Sequence, residues 1–81
     1  MSEGDLELEV LTQEKIVYKG MVKSLSSTNT KGRFDILAKH SNFISLVNDN
    51  LIIIENRGKR IDIPIERAVM MVTSNKIYVI A

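Results

Sequence analysis

The clearest pattern of apolar and polar positions lies near the start of the chain, from Leu6 to Val10 (LELEV). Strict alternation puts three apolar side chains on one face of an extended segment and two glutamates on the other, as in a half-buried β-strand. Further short apolar segments follow at intervals of about 8–12 residues, without an amphipathic helix pattern. The pattern predicts an all-β fold, either a β-sandwich or a small barrel.

Polar and turn-forming residues set the predicted strand boundaries. The run from Ser26 to Gly32 (SSTNTKG) predicts a loop, and Asn56 to Lys59 predicts a hairpin turn. The cluster Asn48 to Asn50 predicts the end of a strand, because these side chains bond to their own backbone and tolerate left-handed conformations. Pro64 lacks an N–H and is expected on an edge strand or at a strand end. We expect one domain over residues 1–81, with a flexible tail over residues 1–5.

Several predicted strands are apolar on both faces. One set of positions is Ile44/Leu46, Ile52/Ile54, Met70/Val72 and Tyr78/Ile80, and the set opposite it is Phe43/Val47, Leu51/Ile53, Val69/Met71 and Ile77/Val79. A small sandwich has one interior, so some of these side chains should lie outside it and form a docking surface. The alternative is that bulges and register let both sets share a closed, barrel-like core. The pair Met70-Met71 leaves the same choice open, although at least one of the two should be core.

Composition narrows the possible functions. The 81 residues include 11 basic and 10 acidic side chains, a net charge of +1, four aromatic residues and no cysteine. A small domain of this kind depends on burial for stability, and it lacks the basic excess and stacking aromatics of a nucleic-acid binder. The basic cluster Arg57 to Arg60 is interpreted as a solvated hairpin tip. Without a signal peptide or a bilayer-spanning apolar run, we expect a cytoplasmic protein with no direct membrane insertion.

The only histidine, His40, lies beside Ser41 and near Asp35, which are residue types found in nucleophilic catalysis. The spacing supports no such site, because Asp35 lies within a strand and no glycine-flanked nucleophile turn surrounds Ser41. One histidine without cysteine gives no metal-ligand pattern, and no glycine-rich phosphate loop is present. We therefore expect no catalytic residues, metal, cofactor or small-molecule substrate.

Three segments, taken together and in register, resemble the N-terminal β-sandwich domain of the epsilon subunit of F-type ATP synthase. They run from Leu8 to Gly20, from Gly32 to His40 and from Val72 to Ala81, and the resemblance covers about residues 6 to 81. The chain departs from the family pattern at the positions Gln13, Asp35, Ala38, Lys39, Ser41 and Asn42, where the family usually has turn-making residues. The family continues into a C-terminal helical hairpin, so the resemblance implies a short form without it.

The resemblance implies a two-sheet β-sandwich of about ten short, mostly antiparallel strands. It also implies a structural, non-catalytic subunit of the ATP synthase central stalk. Such a subunit docks to the gamma subunit and the c-ring and helps couple proton or sodium transport to ATP synthesis, peripherally on the inner face of the cell membrane. By the family pattern, Arg33, Asp35 and His40 would contact the c-ring, and Thr12 and Ser45 would contact gamma. The alternative is a free-standing β-sandwich module that binds proteins unrelated to ATP synthesis.

Overall fold

The computed structural model describes residues 6–37 and 42–81, and strands account for most of them. The strands are β1 (Leu6–Leu11), β2 (Ile16–Asn29), β3 (Gly32–Leu37), β4 (Phe43–Glu55), β5 (Arg60–Thr73) and β6 (Lys76–Ile80). The expected N-terminal tail and His40 lie outside the described residues. The described part of the chain contains no helix, so the all-β prediction is confirmed.

Five of the strands form a closed ring. The hydrogen-bonded order is β1-β6-β5-β4-β2-β3, and an additional pairing between β1 and β2 closes the circuit, with β3 attached to the far part of β2. The pairing of β1 with β6 is parallel. The other pairings in the described chain are antiparallel. The fold is therefore barrel- or sandwich-like, with one interior.

Alternate residues of each strand fill that interior. In β1, Leu6, Leu8 and Val10 are buried while the two glutamates between them face outward, which confirms the half-buried strand. The rest of the core comes from the other five strands: Val22, Leu25, Ile36, Val47, Leu51, Ile53, Ala68, Met70, Val72, Ile77 and Val79. Burial of this apolar surface supplies the main driving force for folding.

The structure has six strands instead of about ten, because three of them run through predicted breaks. The expected loop from Ser26 to Gly32 is wrong: β2 continues to Asn29, and only Thr30 and Lys31 form the turn. Ser26 and Ser27 are buried there, and both hydroxyls have partners. Ser26 Oγ donates to Asp35 Oδ1, and Ser27 Oγ donates to the carbonyl of Asn50. These hydrogen bonds allow a polar run to enter the sheet.

The predicted strand end at Asn48 to Asn50 is also wrong, although the predicted tolerance for a left-handed conformation is used there. These residues lie inside β4, where the register against β5 shifts between Asn48 and Asp49. Asp49 takes a φ of +76°, a conformation that aspartate tolerates better than most residues and that accommodates the irregularity. Pro64 fits its prediction of an edge position. The part of β5 around Pro64 pairs with β4 on one side only, because the pairing of β5 with β6 begins later, at Val69.

The burial of each side chain in the core predicts which substitutions to alanine will destabilise the protein. Leu25 of β2 has no exposed surface, and it lies opposite Ile36 of β3 on one side and Ile53 of β4 on the other. We expect Leu25→Ala to lower the free energy of unfolding by about 2–5 kcal/mol through lost burial and the cavity left behind. Urea denaturation measures this change. Leu37→Ala, at a side chain that is 58% exposed, is the matched control and should stay within about 0.5 kcal/mol; equal losses would contradict the assigned core.

Candidate docking faces

The outward positions on β4, β5, β6, β1 and the start of β2 carry an unusual number of apolar side chains. We call this surface the docking face and define it by Ile44, Leu46, Val69, Met71, Tyr78, Ile80, Leu11 and Ile16. Ile44 is 71% exposed and Leu46 is 61% exposed, so they contribute almost nothing to the core. Apolar side chains exposed together in this way mark an interaction surface.

One row of the docking face is apolar across five strands. Leu46 of β4 lies opposite Val69 of β5, and Val69 lies opposite Ile80 of β6. Ile80 is paired with Leu11 of β1, which is paired with Ile16 of β2. At the usual spacing between strands the row is about 19 Å long, measured along the sheet. The row is continuous because the parallel pairing of β1 with β6 joins the two ends of the chain.

The neighbouring row changes from apolar to charged. Ile44, Met71 and Tyr78 lie opposite one another on β4, β5 and β6, and the row then reaches Glu9 on β1. Lys76 Nζ lies 3.8 Å from Glu9 Oε1 and 4.8 Å from the centre of the Tyr78 ring. The two charged side chains at this border of the docking face, Lys76 and Glu9, therefore form an ion pair with each other.

The structure favours the first of the two sequence-based alternatives for the double-faced strands. The core takes residues from both sets, including Val47 and Met70. Other members, including Ile44 and Leu46, remain outside the core, so the two sets do not share it completely. Met70 is fully buried and Met71 is partly exposed on the docking face, so one methionine is core as expected.

A second outer surface lies on β3, β2, β4 and the start of β5, and its border is charged. We call it the charged face and define it by Arg33, Asp35, Leu37, Ile52, Ile54, Arg60 and Asp62. Arg60 donates from Nε to Asp62 Oδ1 at 2.9 Å and from Nη2 to Asp62 Oδ2 at 3.3 Å. The hydrogen bond from Arg60, with further help from the charges of Arg60 and Arg33, lowers the pKa of Asp62. This face therefore carries fixed, alternating charges at neutral pH.

Three of the family-derived contact residues, Arg33, Asp35 and Thr12, fall on or beside these two surfaces. Arg33 and Asp35 both point outward on β3, on the charged face, whereas Phe34 and Ile36 point inward. Thr12 directly follows Leu11 of the apolar row, and its hydroxyl accepts hydrogen bonds from the amides of Glu14 and Lys15 at 3.3 and 3.2 Å. Thr12 thus shapes the turn at one end of the docking face.

Ser45, the second residue that the family pattern assigns to gamma, lies in β4. It lies between Ile44 and Leu46 in β4 but pairs with the buried Met70, so it belongs to the inner side of the strand. Its hydroxyl accepts a hydrogen bond from Asn29 Nδ2 at 3.3 Å and donates to the carbonyl of Leu46 at 3.2 Å. Its two sequence neighbours, and not Ser45 itself, present the exposed surface.

Tyr18 has a strongly raised pKa, and its hydroxyl is hydrogen-bonded to Glu55. Tyr18 Oη donates to Glu55 Oε2 at 2.7 Å, and a Cβ added at Gly20 would lie 3.2 Å from that hydroxyl. Desolvation, followed by the hydrogen bond and charge of Glu55, raises the pKa of Tyr18 to about 12. A phenol held protonated in this way is a poor base or nucleophile, because those roles need a pKa near or below ambient pH. The pair braces β2 against the end of β4.

Catalytic chemistry finds little support among the described residues. No group of three or more histidine, aspartate or glutamate side chains there is placed to hold a metal ion. Asp35, once a candidate partner of His40, accepts the hydroxyl of Ser26; His40 and Ser41 lie outside the described residues. The same part of the chain contains no helix long and apolar enough to cross a bilayer.

Sequence reasoning missed two neighbouring residues at one end of the apolar row. Leu11 and Ile16 flank a turn and belong to no obvious double-faced strand, so nothing local marks them as surface residues. Their place becomes visible once β1 is known to pair with both β2 and β6. Arg60 was likewise assigned to a solvated hairpin tip, whereas it lies at the start of β5 and pairs with Asp62.

A closed ring of strands with an apolar outer row and a separate charged surface fits a protein-docking domain. Residues 5–81 match the family model described as the ATP synthase, Delta/Epsilon chain, beta-sandwich domain. The chain therefore belongs to the family of ATP synthase delta/epsilon chains, in the part that forms its β-sandwich domain.

Relatives in the family are named ATP synthase epsilon chains. The chain is 33% identical to that of Sulfurimonas denitrificans over 76 residues, covering 93% of this chain and 58% of the relative. It is 35% identical to that of Nitratiruptor sp. over 72 residues, covering 88% and 56%. It is 33% identical to a Helicobacter pylori epsilon chain over 76 residues, covering 94% of this chain and 62% of the relative. The chain thus spans less than two thirds of the length of these relatives.

Solved structures show the same fold at low sequence identity. A chain of the Euglena gracilis mitochondrial ATP synthase, from a structure of OSCP, F1 and c-ring, superposes with a TM-score of 0.89 at 15% identity. The match covers 95% of this chain and 50% of that one. A chain of the Tetrahymena thermophila mitochondrial ATP synthase central stalk and c-ring gives a TM-score of 0.76 at 14% identity, covering 99% and 65%.

The brace between Tyr18 and Glu55 predicts a late tyrosine titration. In a Tyr78→Phe variant, tyrosinate absorbance should report Tyr18 alone, with a midpoint near pH 12. Because the folded state raises this pKa above its ordinary value of 10, the stabilisation is fully present below pH 10 and is lost as pH rises to about 12. Adding Glu55→Gln should move the midpoint toward 10, though not fully, since desolvation remains. A midpoint near 10 in folded Tyr78→Phe protein would contradict the brace.

Proposed function

We propose that this chain is a structural, non-catalytic subunit of the central stalk of a rotary ATP synthase. It docks to the gamma subunit and the c-ring and helps couple proton or sodium transport to ATP synthesis. The observation that carries the proposal is the docking face, whose most exposed members, Ile44 and Leu46, contribute to no core. Family membership supplies the type of assembly in which such a face would be covered.

The gamma subunit is the proposed partner of the docking face. Long-lived interfaces are more apolar than transient ones, and a rotor part must stay attached through every turn. The apolar row from Leu46 to Ile16 suits that requirement. Thr12, at the turn beside Leu11, and Ser45, between the exposed Ile44 and Leu46 of β4, would lie within or next to this contact.

The c-ring is the proposed partner of the charged face. Arg33 and Asp35 stand on its outermost strand, and the Arg60–Asp62 pair lies on the same side. The proposal includes His40, which follows β3 in the sequence, as a third contact, although it lies outside the described residues. Fixed charges at a boundary give orientation and register more than raw affinity, which suits a contact with polar loops.

The separation of the two faces suggests a two-sheet description of the domain. β2, β4 and β5 each cross a register irregularity or change partner along their length, so each can contribute to both layers. We propose that residues 1–81 form this one domain, located in the cytoplasm and held peripherally at the inner face of the membrane by the complex.

The docking face predicts a specific loss of gamma binding. Leu46→Asp would bury an unpaired carboxylate in the contact and should weaken the complex with the host's gamma subunit by at least about 100-fold. Leu37→Asp is the matched control, because it changes the same residue type at similar exposure on the other surface. Co-purification and titration calorimetry measure both. A chain that folds but never binds gamma, and instead remains a monomer with other partners, would favour the free-standing binding module.

The charged face predicts a separate defect in coupling. Arg33→Glu should lower ATP-driven ion pumping by the assembled complex about 3-fold by reversing a boundary charge, while gamma binding stays unchanged. Arg57→Glu, at the exposed hairpin tip, makes the same charge change away from this face and should have no effect. Equal pumping by both variants would remove Arg33 from the c-ring contact.

A further inference from the structure

A groove lies at the end of the β4–β5 pair, where the docking face meets the opening of the strand ring. Its volume is about 460 Å³ and its lining residues are Asn42, Phe43, Ile44, Met71, Val72 and Thr73. Phe43 lies opposite Val72, and Ile44 lies opposite Met71. Val72 is only 2% exposed whereas Ile44 is 71% exposed, so the groove runs from the edge of the core to the surface.

The walls of the groove are held in place by contacts of their own. The Phe43 ring packs edge to face on Phe34, with centroids 6.3 Å apart and an interplanar angle of 72°. At the rim, Asn42 Oδ1 accepts a hydrogen bond from the Ser74 amide at 3.1 Å. These two contacts fix the positions of two of the lining residues, Phe43 and Asn42.

The chemistry of the lining selects an apolar occupant. Phe43, Ile44, Met71 and Val72 supply the walls, and none of the six lining residues is charged. A small-molecule site would need several polar groups converging on the ligand. Here Asn42 Oδ1, at the rim, already accepts a hydrogen bond from the backbone amide of Ser74. Met71 adds an adaptable thioether wall that tolerates different apolar shapes.

The groove is continuous with the docking face, because Ile44 and Met71 belong to both. We propose that the gamma subunit anchors itself here by inserting one aliphatic or aromatic side chain into this groove. The proposal rests on the proposed function and deepens it: the flat row of the docking face excludes water, and the groove supplies most of the binding energy. Interfaces commonly concentrate their energy in a few well-packed pockets.

Alanine truncation of the chain in its complex with gamma tests this division of roles. Ile44→Ala should weaken binding about 30-fold, and Met71→Ala should also weaken it, whereas Leu46→Ala on the flat row should cost no more than about 5-fold. Leu37→Ala, off the docking face, should change nothing. Ile44 and Leu46 are both highly exposed, so thermal unfolding of the free variants should match the wild type and separate a folding defect from a binding defect.

A cross-linking experiment locates the occupant directly. Because the chain has no cysteine, Thr73→Cys places a single benzophenone maleimide at the rim of the groove. We expect it to cross-link to a gamma peptide at or next to an aliphatic or aromatic residue. The control, Thr30→Cys in the exposed β2–β3 turn, should not.

The outcomes separate the two proposals. If the wild-type chain fails to bind gamma, the proposed function fails. If the wild type binds but Ile44→Ala costs no more than Leu46→Ala, or Thr73→Cys gives no cross-link in the formed complex, the anchor is overturned and the proposed function stands.

Discussion

The pairing of β1 with strands on both of its edges is the constraint on which the rest of the structure depends. Leu8 pairs with Gly20 on one side and with Ile77, near the other end of the chain, on the other. Until β6 is in place, β1 has an open edge and the interior has an open side. Pairings between residues so far apart in the sequence are of the kind that slows folding. It also produces the docking face, because only closure joins Ile80 to Leu11.

A closed ring of this size has one interior, and this explains why the outer surface carries so much apolar area. Side chains at alternate positions in β4, β5 and β6 cannot all reach the core, so Ile44, Leu46 and Ile80 remain outside. Natural monomers rarely keep such residues together without a use. The polar exceptions go the other way: Ser26 and Ser27 enter the sheet because Asp35 and the Asn50 carbonyl accept their hydroxyls. Partner availability, rather than residue polarity alone, decides which side chains are buried.

Sequence patterns predicted the individual strands well and their connections poorly. Alternation from Leu6 to Val10 is a local property, so it correctly placed β1 and its buried face. Whether Ser26 to Asn29 forms a loop depends on acceptors in β3 and β4, which no local pattern contains. The Asn48–Asn50 cluster was correctly seen as conformationally special, but a positive φ serves a bulge as well as a turn. Leu11 and Ile16 joined the site only through strand neighbours, and neighbours are a tertiary property.

The docking face and the charged face differ in how easily they can be desolvated, and this matters for a small domain that is proposed to bind two partners. On the docking face, Lys76 is paired with Glu9 at the border, so the apolar row can be desolvated without burying a free charge. On the charged face, Arg60 and Asp62 neutralise each other but stay exposed, so water and salt remain able to screen them. An apolar contact of the first kind resists dissociation, whereas a solvated polar contact of the second kind adjusts at little cost. The proposed assignment of gamma to the first and the c-ring to the second follows that difference in chemistry.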